Sequence, residues 1–246
     1  GLAGILLAVV LARHMTHPIN ALNNTVQRFS VHQDIGELPI QRQDELGQLA
    51  RSFMALHNQI KQQFNELQRS HSELETLARH DELTNLPNRR LFLERLESAL
   101  ARAKRTGQPL ALLFIDLDKF KDINDSFGHE AGDTVLKSVA SRLSAHVRAV
   151  DTVARLGGDE FVVLLENLTD TDKVAEIADK LYRSMHEPLA YADQILHMSI
   201  SVGVALYPQD GQTLDQLINK ADQAMYRAKA DPEQRIHFVN PPEFFI

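Results

Sequence analysis

The feature that most constrains the fold is a pair of apolar, β-forming runs on either side of two glycines. The run "TVARL" (152–156) precedes Gly157 and Gly158, and "DEFVVLLENL" (159–168) follows them. A glycine pair between two such runs suits a two-residue hairpin turn, because glycine adopts positive φ at little cost. The pattern therefore predicts two antiparallel strands, with Asp159 and Glu160 at the start of the returning strand.

The two acids at that turn require an explanation. Neighbouring carboxylates repel each other and resist desolvation, so a positive group is expected beside them. Another acid, Asp116, comes near the end of the apolar run "PLALLFIDLD" (109–118), with Asp118 two residues on. If the two strands are neighbours, Asp116 and Asp159 meet at one end of the sheet. Such carboxylates suit a hard cation, Mg²⁺ or Mn²⁺, that also binds phosphate oxygens.

A structural interpretation of these acids is equally open at this point, because they could cap a turn or pair with Arg155. Composition limits the other possibilities. The chain has 246 residues, 43% of them hydrophobic, no cysteine and a net charge of −7. Without thiolates, a metal must be held by oxygen or imidazole ligands. The negative charge argues against non-specific binding to a nucleic-acid backbone, and we expect no nucleic-acid partner.

Helical and strand-like segments alternate after residue 80. A helix is expected to start near Leu86-Pro87, and others to cover 130–150, about 170–187 and 213–230. Further strands are expected at "HMSISVGVALY" (197–207) and "RIHFV" (235–239). The order βαββαβ combines hairpin and crossover connections, so it predicts an α+β fold with a mixed or antiparallel sheet flanked by helices.

The chain opens with the uncharged run "GLAGILLAVVLA", which Arg13 follows. A membrane span needs about 20 apolar residues. We therefore interpret residues 1–13 as the end of a truncated transmembrane helix, with a buried helix or a signal-peptide core as the alternative. This interpretation predicts an inner (cytoplasmic) membrane protein whose catalytic domain lies in the cytoplasm.

Residues 14–66 are rich in Gln, Asn and Arg, with apolar residues at helical spacing and a break at Gly36 and Pro39. Two helices are expected, one opening at "HPINAL" (17–22) and one at "DELGQLARSF" (44–53). The region resembles a HAMP signalling module. That resemblance implies a parallel helical dimer that joins a membrane span to an output domain.

The second of these helices is predicted to continue through a stalk at residues 67–80. Its heptad columns are Leu49, Leu56, Gln63, Ser70, Leu77 and Phe53, Ile60, Leu67, Leu74. This spacing favours a coiled-coil dimer, in which the polar Gln63 and Ser70 lower stability while setting register. The alternative is a single amphipathic helix that lies on its own domain.

Three separated motifs resemble those of the GGDEF family of diguanylate cyclases. They are "DLDKFKDINDSFGHEAGD" (116–133), "RLGGDEF" (155–161) and "ADQAMYRAK" (221–229), and they follow the family's order within residues 81–240, before a tail at 241–246. The resemblance implies a fold similar to the palm of adenylyl cyclases. It implies that two GTP molecules are condensed into cyclic di-GMP, with release of pyrophosphate, in a homodimer.

The resemblance also implies roles for individual residues. Asp116, Asp159 and the backbone carbonyl of Leu117 would hold the metal ion, and Glu160 would accept a proton. Asp159 and Glu160 can share one site only if the turn distorts the pleat. The implied nucleotide contacts are Asn124 and Asp133 on guanine, His129 beside them, and Lys121, the Phe120 backbone and Lys229 near the phosphates. For His129, packing within a turn is an equally ordinary explanation.

The segment "RAVD" (148–151) lies just before the predicted hairpin. An Arg at a helix end with an Asp three residues on is a routine arrangement. At this separation from the glycines, however, it matches the family's inhibitory product site. Arg148 would then donate bidentate hydrogen bonds to cyclic di-GMP, and Asp151 would accept from a guanine edge.

One position departs from the family's pattern. Glu233 stands where the family has an arginine that reaches the phosphates. Arg235 would replace it if the loop around Pro232 bends differently. The main alternative to an enzyme is therefore a receptor that binds GTP or cyclic di-GMP and relays a signal without turnover.

Overall fold

The computed structural model describes residues 40–240 and, nearer the N-terminus, residues 4, 5, 8–10, 12, 13, 16 and 20, without the side chains of residues 71–77 and 172. The chain divides into two compact units, Gly1–Glu75 and Thr76–Ile246. Each unit is described separately below.

The first unit contains most of helix α1, which spans Glu45–Arg79. Its start agrees with the prediction, because Asp44 Oδ1 accepts a hydrogen bond from the Gly47 N–H at 3.1 Å. The Arg42 guanidinium also donates to Asp44 and, with the Gly47 amide, lowers the pKa of Asp44 to about 2. Residues 21–39, which include most of the predicted first HAMP helix, lie outside the described residues.

Three heptad leucines of α1, Leu49, Leu56 and Leu67, face outward from the single chain. They are 53%, 54% and 68% exposed. Such exposure is what a coiled-coil seam requires before its partner is added. The dimer itself stays a prediction.

Across the described part of the chain, no helix is both long enough and apolar enough to cross a bilayer. The predicted end of a transmembrane helix, residues 1–13, lies partly outside the described residues. That assignment also stays a prediction.

The second unit contains seven described strands. They are β1 Leu110–Leu117, β2 Thr152–Gly157, β3 Glu160–Leu165, β4 Leu189–Tyr191, β5 Gln194–Leu196, β6 Ile200–Tyr207 and β7 Ile236–Phe238. Five of them form one sheet with the order β2-β3-β1-β6-β7, and β4 and β5 form a separate hairpin. All neighbouring strands of the sheet are antiparallel except β6 and β7, which are parallel. This mixed sheet confirms the predicted α+β class.

Helices cover both faces of the sheet. They are α2 Arg89–Thr106, α3 Phe120–Phe127, α4 His129–Ala145, α5 Asp172–Met185 and α6 Leu214–Ala230. Leu113 and Ile115 of β1 belong to the core shared with α4 and α5, whereas Leu112 and Phe114 belong to the core shared with α2 and α6. Because side chains alternate along a strand, Asp116 projects toward the α2 and α6 face.

Several element boundaries differ from the predictions. The helix expected over 130–150 ends at Ala145, and the helix expected near Leu86-Pro87 begins at Arg89, where Asn88 accepts the Leu91 N–H at 3.2 Å. The strand expected from residue 197 begins at Ile200. Helix α3 and the β4–β5 hairpin were not predicted, because segments of eight and three residues are too short to show a clear hydrophobic period.

Candidate active site

The centre of the candidate site is the end of the sheet where β1 and β3 meet. Asp116 pairs with Glu160 in the antiparallel register, so both side chains project on the same face. Asp159 immediately precedes β3, and its carbonyl accepts the Leu117 N–H at 3.3 Å. The expected adjacency of the two strands is confirmed. It brings the three acids Asp116, Asp159 and Glu160 to the same end of the sheet, which is called the acidic edge below.

The turn differs from the predicted one by one residue. Gly157 still pairs with Glu160, so the loop consists of Gly158 and Asp159 rather than of the two glycines. The register shifts between Arg155 and Gly157, so Leu156 is an extra residue in β2 and the loop closes over two residues. Gly158 has φ +52°, which a glycine adopts readily. Asp159 therefore lies outside the pleat of β3, so its side chain need not point to the opposite face from Glu160. This was the condition under which the two acids could share one site.

Arg155 supports this turn from the side. Its Nε and Nη2 donate to the Gly158 carbonyl at 3.0 and 2.7 Å, and its Nη1 forms an ion pair with Asp81 Oδ1 at 2.9 Å. Burial opposes ionisation of Asp81, but hydrogen bonds from Thr84 and Arg155 outweigh it and lower the pKa of Asp81. The alternative in which Arg155 pairs with the turn acids is therefore wrong, since its ion pair is with Asp81.

Asp81 is a site-supporting residue that the sequence interpretation missed. It lies 74 positions before Arg155 in the chain. No local pattern around it indicates a distant partner, because an ion pair at this separation is set by tertiary structure. The one hint of a role for Asp81 is that it follows closely after the end of α1 at Arg79.

Asp116 has an ammonium partner. It is 7% exposed, and Lys229 Nζ lies 2.7 Å from its Oδ1. Burial raises the pKa of Asp116, and the charges of Asp159 and Asp118 raise it further, against the opposing effect of Lys229. Burial alone would lower the pKa of Lys229, but its hydrogen bond to Asp116 and the neighbouring acids produce a net increase.

Glu160 experiences the same concentration of negative charge. Burial raises its pKa first, and Asp116, Asp222 and Asp159 add to the increase, whereas Arg89 opposes it. Burial and the neighbouring acids thus outweigh the effect of Lys229 on the pKa of Asp116 and that of Arg89 on the pKa of Glu160. A further cation would stabilise the ionised acids.

The donor set fits Mg²⁺ or Mn²⁺ in its chemistry, since carboxylate and carbonyl oxygens are the ligands that these ions prefer. Within residues 40–240 and the other described positions, no group of three or more His, Cys, Asp or Glu side chains is arranged to hold a metal ion by itself. The expected metal ligands Asp116, Asp159 and the Leu117 carbonyl therefore stay a prediction.

Apart from Lys229 on α6, the residues expected to bind the nucleotide lie on α3 and α4, which follow β1 directly. Asn124 of α3 is half-buried, and Asp133 of α4 is exposed. His129 is exposed in the first turn of α4, so the packed-histidine alternative is wrong. Lys121 is exposed on α3, whereas the Phe120 side chain packs against the core.

The product-site residues lie at the opposite end of β2 from the turn, roughly 20 Å away at about 3.3 Å per residue. Asp151 Oδ2 accepts the Arg148 N–H at 2.9 Å, and Asp151 Oδ1 accepts the Glu166 N–H at 3.1 Å. The Arg148 side chain is exposed. Arg148 and Asp151 therefore meet, but they are separate from the acids of the turn.

The loop after α6 bends so that Arg235 reaches the end of the sheet where Asp116 lies, not the end near Arg148. Asp231 Oδ1 accepts the N–H groups of Glu233 and Gln234 at 3.0 and 3.2 Å, and Glu233 is exposed. The Arg235 guanidinium lies 3.6 Å from Asp118 Oδ1. Asp118 also accepts a hydrogen bond from the Ser201 hydroxyl at 2.7 Å, a contact that was not predicted.

Comparison with known families agrees with this site. Residues 78–235 match the family described as diguanylate cyclase, GGDEF domain, and residues 10–62 match the HAMP domain. The fold and the acidic edge are thus those of a nucleotide-cyclase domain that follows a HAMP module. The chain belongs to the GGDEF family of diguanylate cyclases.

Named relatives share this domain. The chain is 44% identical over 201 residues to the diguanylate cyclase TpbB of Pseudomonas aeruginosa. The matched region covers 80% of this chain and 46% of TpbB. It is 41% identical over 156 residues to the response regulator PleD of Caulobacter vibrioides, covering 63% of this chain and 34% of PleD. A third relative, the bifunctional diguanylate cyclase/cyclic di-GMP phosphodiesterase MucR of P. aeruginosa, is 50% identical over 163 residues, covering 66% of this chain and 24% of MucR.

Solved structures show the same fold. The GGDEF domain of P. aeruginosa TpbB has a TM-score of 0.63 at 45% identity and covers 65% of this chain and 94% of that one. The coiled coil and GGDEF domain of DgcB from Caulobacter crescentus, solved with c-di-GMP, has a TM-score of 0.69 at 26% identity and covers 76% of this chain and 99% of that one.

Proposed function

We propose that this chain is a diguanylate cyclase, which condenses two GTP molecules into cyclic di-GMP. The observation that carries the proposal is the convergence of Asp116, Asp159 and Glu160 at one edge of the sheet, beside Lys229. The named relative TpbB supports it. Since the chain spans less than half the length of the relatives described above, the activity of the whole protein is part of the proposal.

In the proposed reaction, the 3′-oxygen of one GTP forms a bond to the α-phosphorus of the other, and the bond to the β-phosphate oxygen breaks. Pyrophosphate leaves, and a second step with the roles exchanged closes the ring and releases a second pyrophosphate. A bound Mg²⁺ or Mn²⁺ supplies charge neutralisation at the phosphoryl oxygens and a lower pKa for the attacking hydroxyl.

The chain's own residues have separate tasks in this proposal. Asp116, Asp159 and the Leu117 carbonyl would hold the ion, and Glu160, opposite Asp116 in the register, would accept the hydroxyl proton. Asn124 and Asp133 would bind guanine, because an amide and a carboxylate together match its N1, N2 and O6 groups. His129 would help to position the nucleotide.

Cationic side chains would bind the phosphates. The Lys229 side chain is 44% exposed, so its ammonium group can reach a phosphate above Asp116. Lys121 and the backbone around Phe120 approach from α3. We further propose that Arg235 takes the role of the arginine that Glu233 replaces, because its guanidinium lies beside Asp118 at the same edge.

The homodimer is part of the proposal because one domain holding one GTP cannot complete the reaction. The exposed leucines on α1 support a dimeric stalk. Such a stalk would raise the effective concentration of one domain near the other and set the angle between them. Membrane anchoring through residues 1–13, with the catalytic domain in the cytoplasm, belongs to the same proposal and rests on the sequence alone.

We also propose that cyclic di-GMP inhibits the enzyme at Arg148 and Asp151. The exposed Arg148 guanidinium is available for bidentate hydrogen bonds. Its backbone bond to Asp151 fixes the two residues side by side.

The second candidate is a receptor that binds GTP or cyclic di-GMP without turnover. One observation favours it, the exposed acid Glu233 at a position where the family has a phosphate-binding arginine. If Arg235 does not reach the phosphates, GTP affinity or turnover would suffer.

An assay of the full chain with GTP and Mg²⁺ at several protein concentrations separates the two candidates. The enzyme predicts cyclic di-GMP formation whose rate per protomer rises with concentration as the dimer forms, and which stops when a chelator removes the metal. The oligomeric state is measured in the same samples. Nucleotide binding without product in a demonstrably dimeric sample would instead identify a receptor.

A further inference from the structure

Helices α3 and α4 come together at Gly132 with no space for a side chain. A Cβ atom added to Gly132 would overlap Asn124 Oδ1 and lie 3.0 Å from Asn124 Cγ and 3.2 Å from Phe120 Cζ. Asn124 and Phe120 are four residues apart on α3, so they share one face of that helix. The Asn124 amide therefore rests against the backbone of α4 at Gly132.

Backbone geometry does not explain a glycine at this position. Gly132 is buried within α4, and it is not among the glycines with positive φ. Glycine inside a helix is unfavourable relative to alanine, so a reason must lie outside the helix. The group that occupies the space is the polar Asn124 side chain rather than an apolar core residue.

We infer that Gly132 is a positioning residue that determines specificity for guanine. This inference rests on the proposed function, in which Asn124 and Asp133 contact the base. With Oδ1 of Asn124 turned toward Gly132, the other end of the planar amide, the Nδ2 donor, is left to meet guanine O6. Asp133, the next residue along α4, accepts hydrogen bonds from guanine N1 and N2.

A side chain at position 132 would rotate the Asn124 amide away from this orientation. Asp133 would still accept hydrogen bonds, but the donor for O6 would be lost. Adenine has an amino group where guanine has O6, so the Nδ2 donor is the group that distinguishes the two purines at this position. Phosphate binding, which is proposed to involve Lys229, Arg235, Lys121 and the Phe120 backbone rather than the Asn124 amide, would change much less.

The test compares Gly132→Ala with the unmodified chain. The probes are a GTP analogue with a methylene bridge between the α- and β-phosphates and the matching ATP analogue, with affinities measured by titration calorimetry. We expect the preference for the GTP analogue to fall roughly tenfold to a hundredfold, as for the loss of one base-specific hydrogen-bonded contact. The exposed-face control Ser141→Ala, also on α4, should keep the preference of the unmodified chain.

A double-mutant comparison shows whether the effect passes through Asn124. Asn124→Ala alone should reduce the preference by about the same factor as Gly132→Ala, and combining the two substitutions should cause no further reduction. A further loss in the double variant, an equal decrease for both analogues in Gly132→Ala, or an unchanged preference in Gly132→Ala would each overturn the inference. A chain that shows no guanine preference before any substitution would overturn the proposed function instead.

Thermal unfolding covers the case in which Gly132→Ala does not fold. In that case the double variant, Gly132→Ala with Asn124→Ala, is measured in the same way. If the double variant folds normally, the added Cβ atom overlaps with the Asn124 side chain alone. If the double variant also fails to fold, the inference is wrong, because the space at Gly132 is then needed for packing rather than for the amide.

Discussion

The two ends of strand β2 present acids in opposite situations. At one end, Asp151 accepts backbone N–H groups on both carboxylate oxygens, so the fold itself explains its presence. At the other end, the buried Asp116 and the half-buried Glu160 face each other, and burial together with mutual repulsion raises both pKa values. At the turn end the fold leaves repulsion that the proposed metal ion would offset, whereas at the Arg148 end hydrogen bonds within the chain already satisfy the acid.

The largest effect is expected from Asp159→Asn. Removing this charge removes a proposed metal ligand, so cyclic di-GMP formation should fall by about a thousandfold or more. The fold should remain intact, because the substitution also removes repulsion at the edge. The measurement is product formation at saturating GTP, alongside thermal unfolding.

Asp125→Asn, on the exposed side of α3, is the matched control for that substitution. Unchanged activity in Asp159→Asn would refute the metal assignment. It would also remove the distinction drawn between the two ends of β2.

A smaller effect is expected at the loop after α6. Arg235→Ala should raise the KM for GTP about tenfold, which corresponds to losing one charge-assisted contact to phosphate. Glu233→Ala is the control and should stay within about twofold, because that side chain is exposed. If Glu233→Ala has the larger effect, the proposed replacement of one arginine by the other is wrong.

At the other end of β2, Arg148→Ala tests the product site. The concentration of cyclic di-GMP that halves the rate should increase about tenfold, because a bidentate hydrogen-bond donor is lost. Lys137→Ala, an exposed cation on α4, serves for comparison. Equal inhibition of all three proteins would leave the Arg148 end with a structural role only.

The smallest effect is expected on stability, from Asp81→Asn. The pKa of Asp81 is lowered in the folded state, so its ionised carboxylate stabilises the fold above the ordinary value of 3.8. At pH 7 the substitution should reduce the free energy of unfolding by about 1–2 kcal/mol, since the ion pair with Arg155 is only partly exposed.

That contribution is lost as the pH falls through the folded-state pKa of Asp81, so the difference between the two proteins should shrink below about pH 3.8. Urea unfolding at pH 7 and pH 3.5 measures it. A difference of the same size at both values would mean that the charge of Asp81 does not hold the turn.

The candidate site was predicted unevenly from the sequence. Asp116, Asp159 and Glu160 stand out because acids at the ends of apolar strands are unusual, and the expected adjacency of their strands is confirmed. The register shift at Arg155 was not predicted, because a bulge depends on how β2 fits its partner strand. Asp81 was missed for the same kind of reason, since its partner is distant in the sequence.

By itself, the sequence determined local features: the long strands of the sheet, the helix that begins after Thr213, and the family's motifs. These features depend on neighbours within a few residues. Only the tertiary structure decided that Lys229 contacts Asp116, that Arg155 pairs with Asp81, and that Asn124 rests against Gly132. Each of those contacts joins different elements, and its geometry follows from how helices and strands pack in three dimensions.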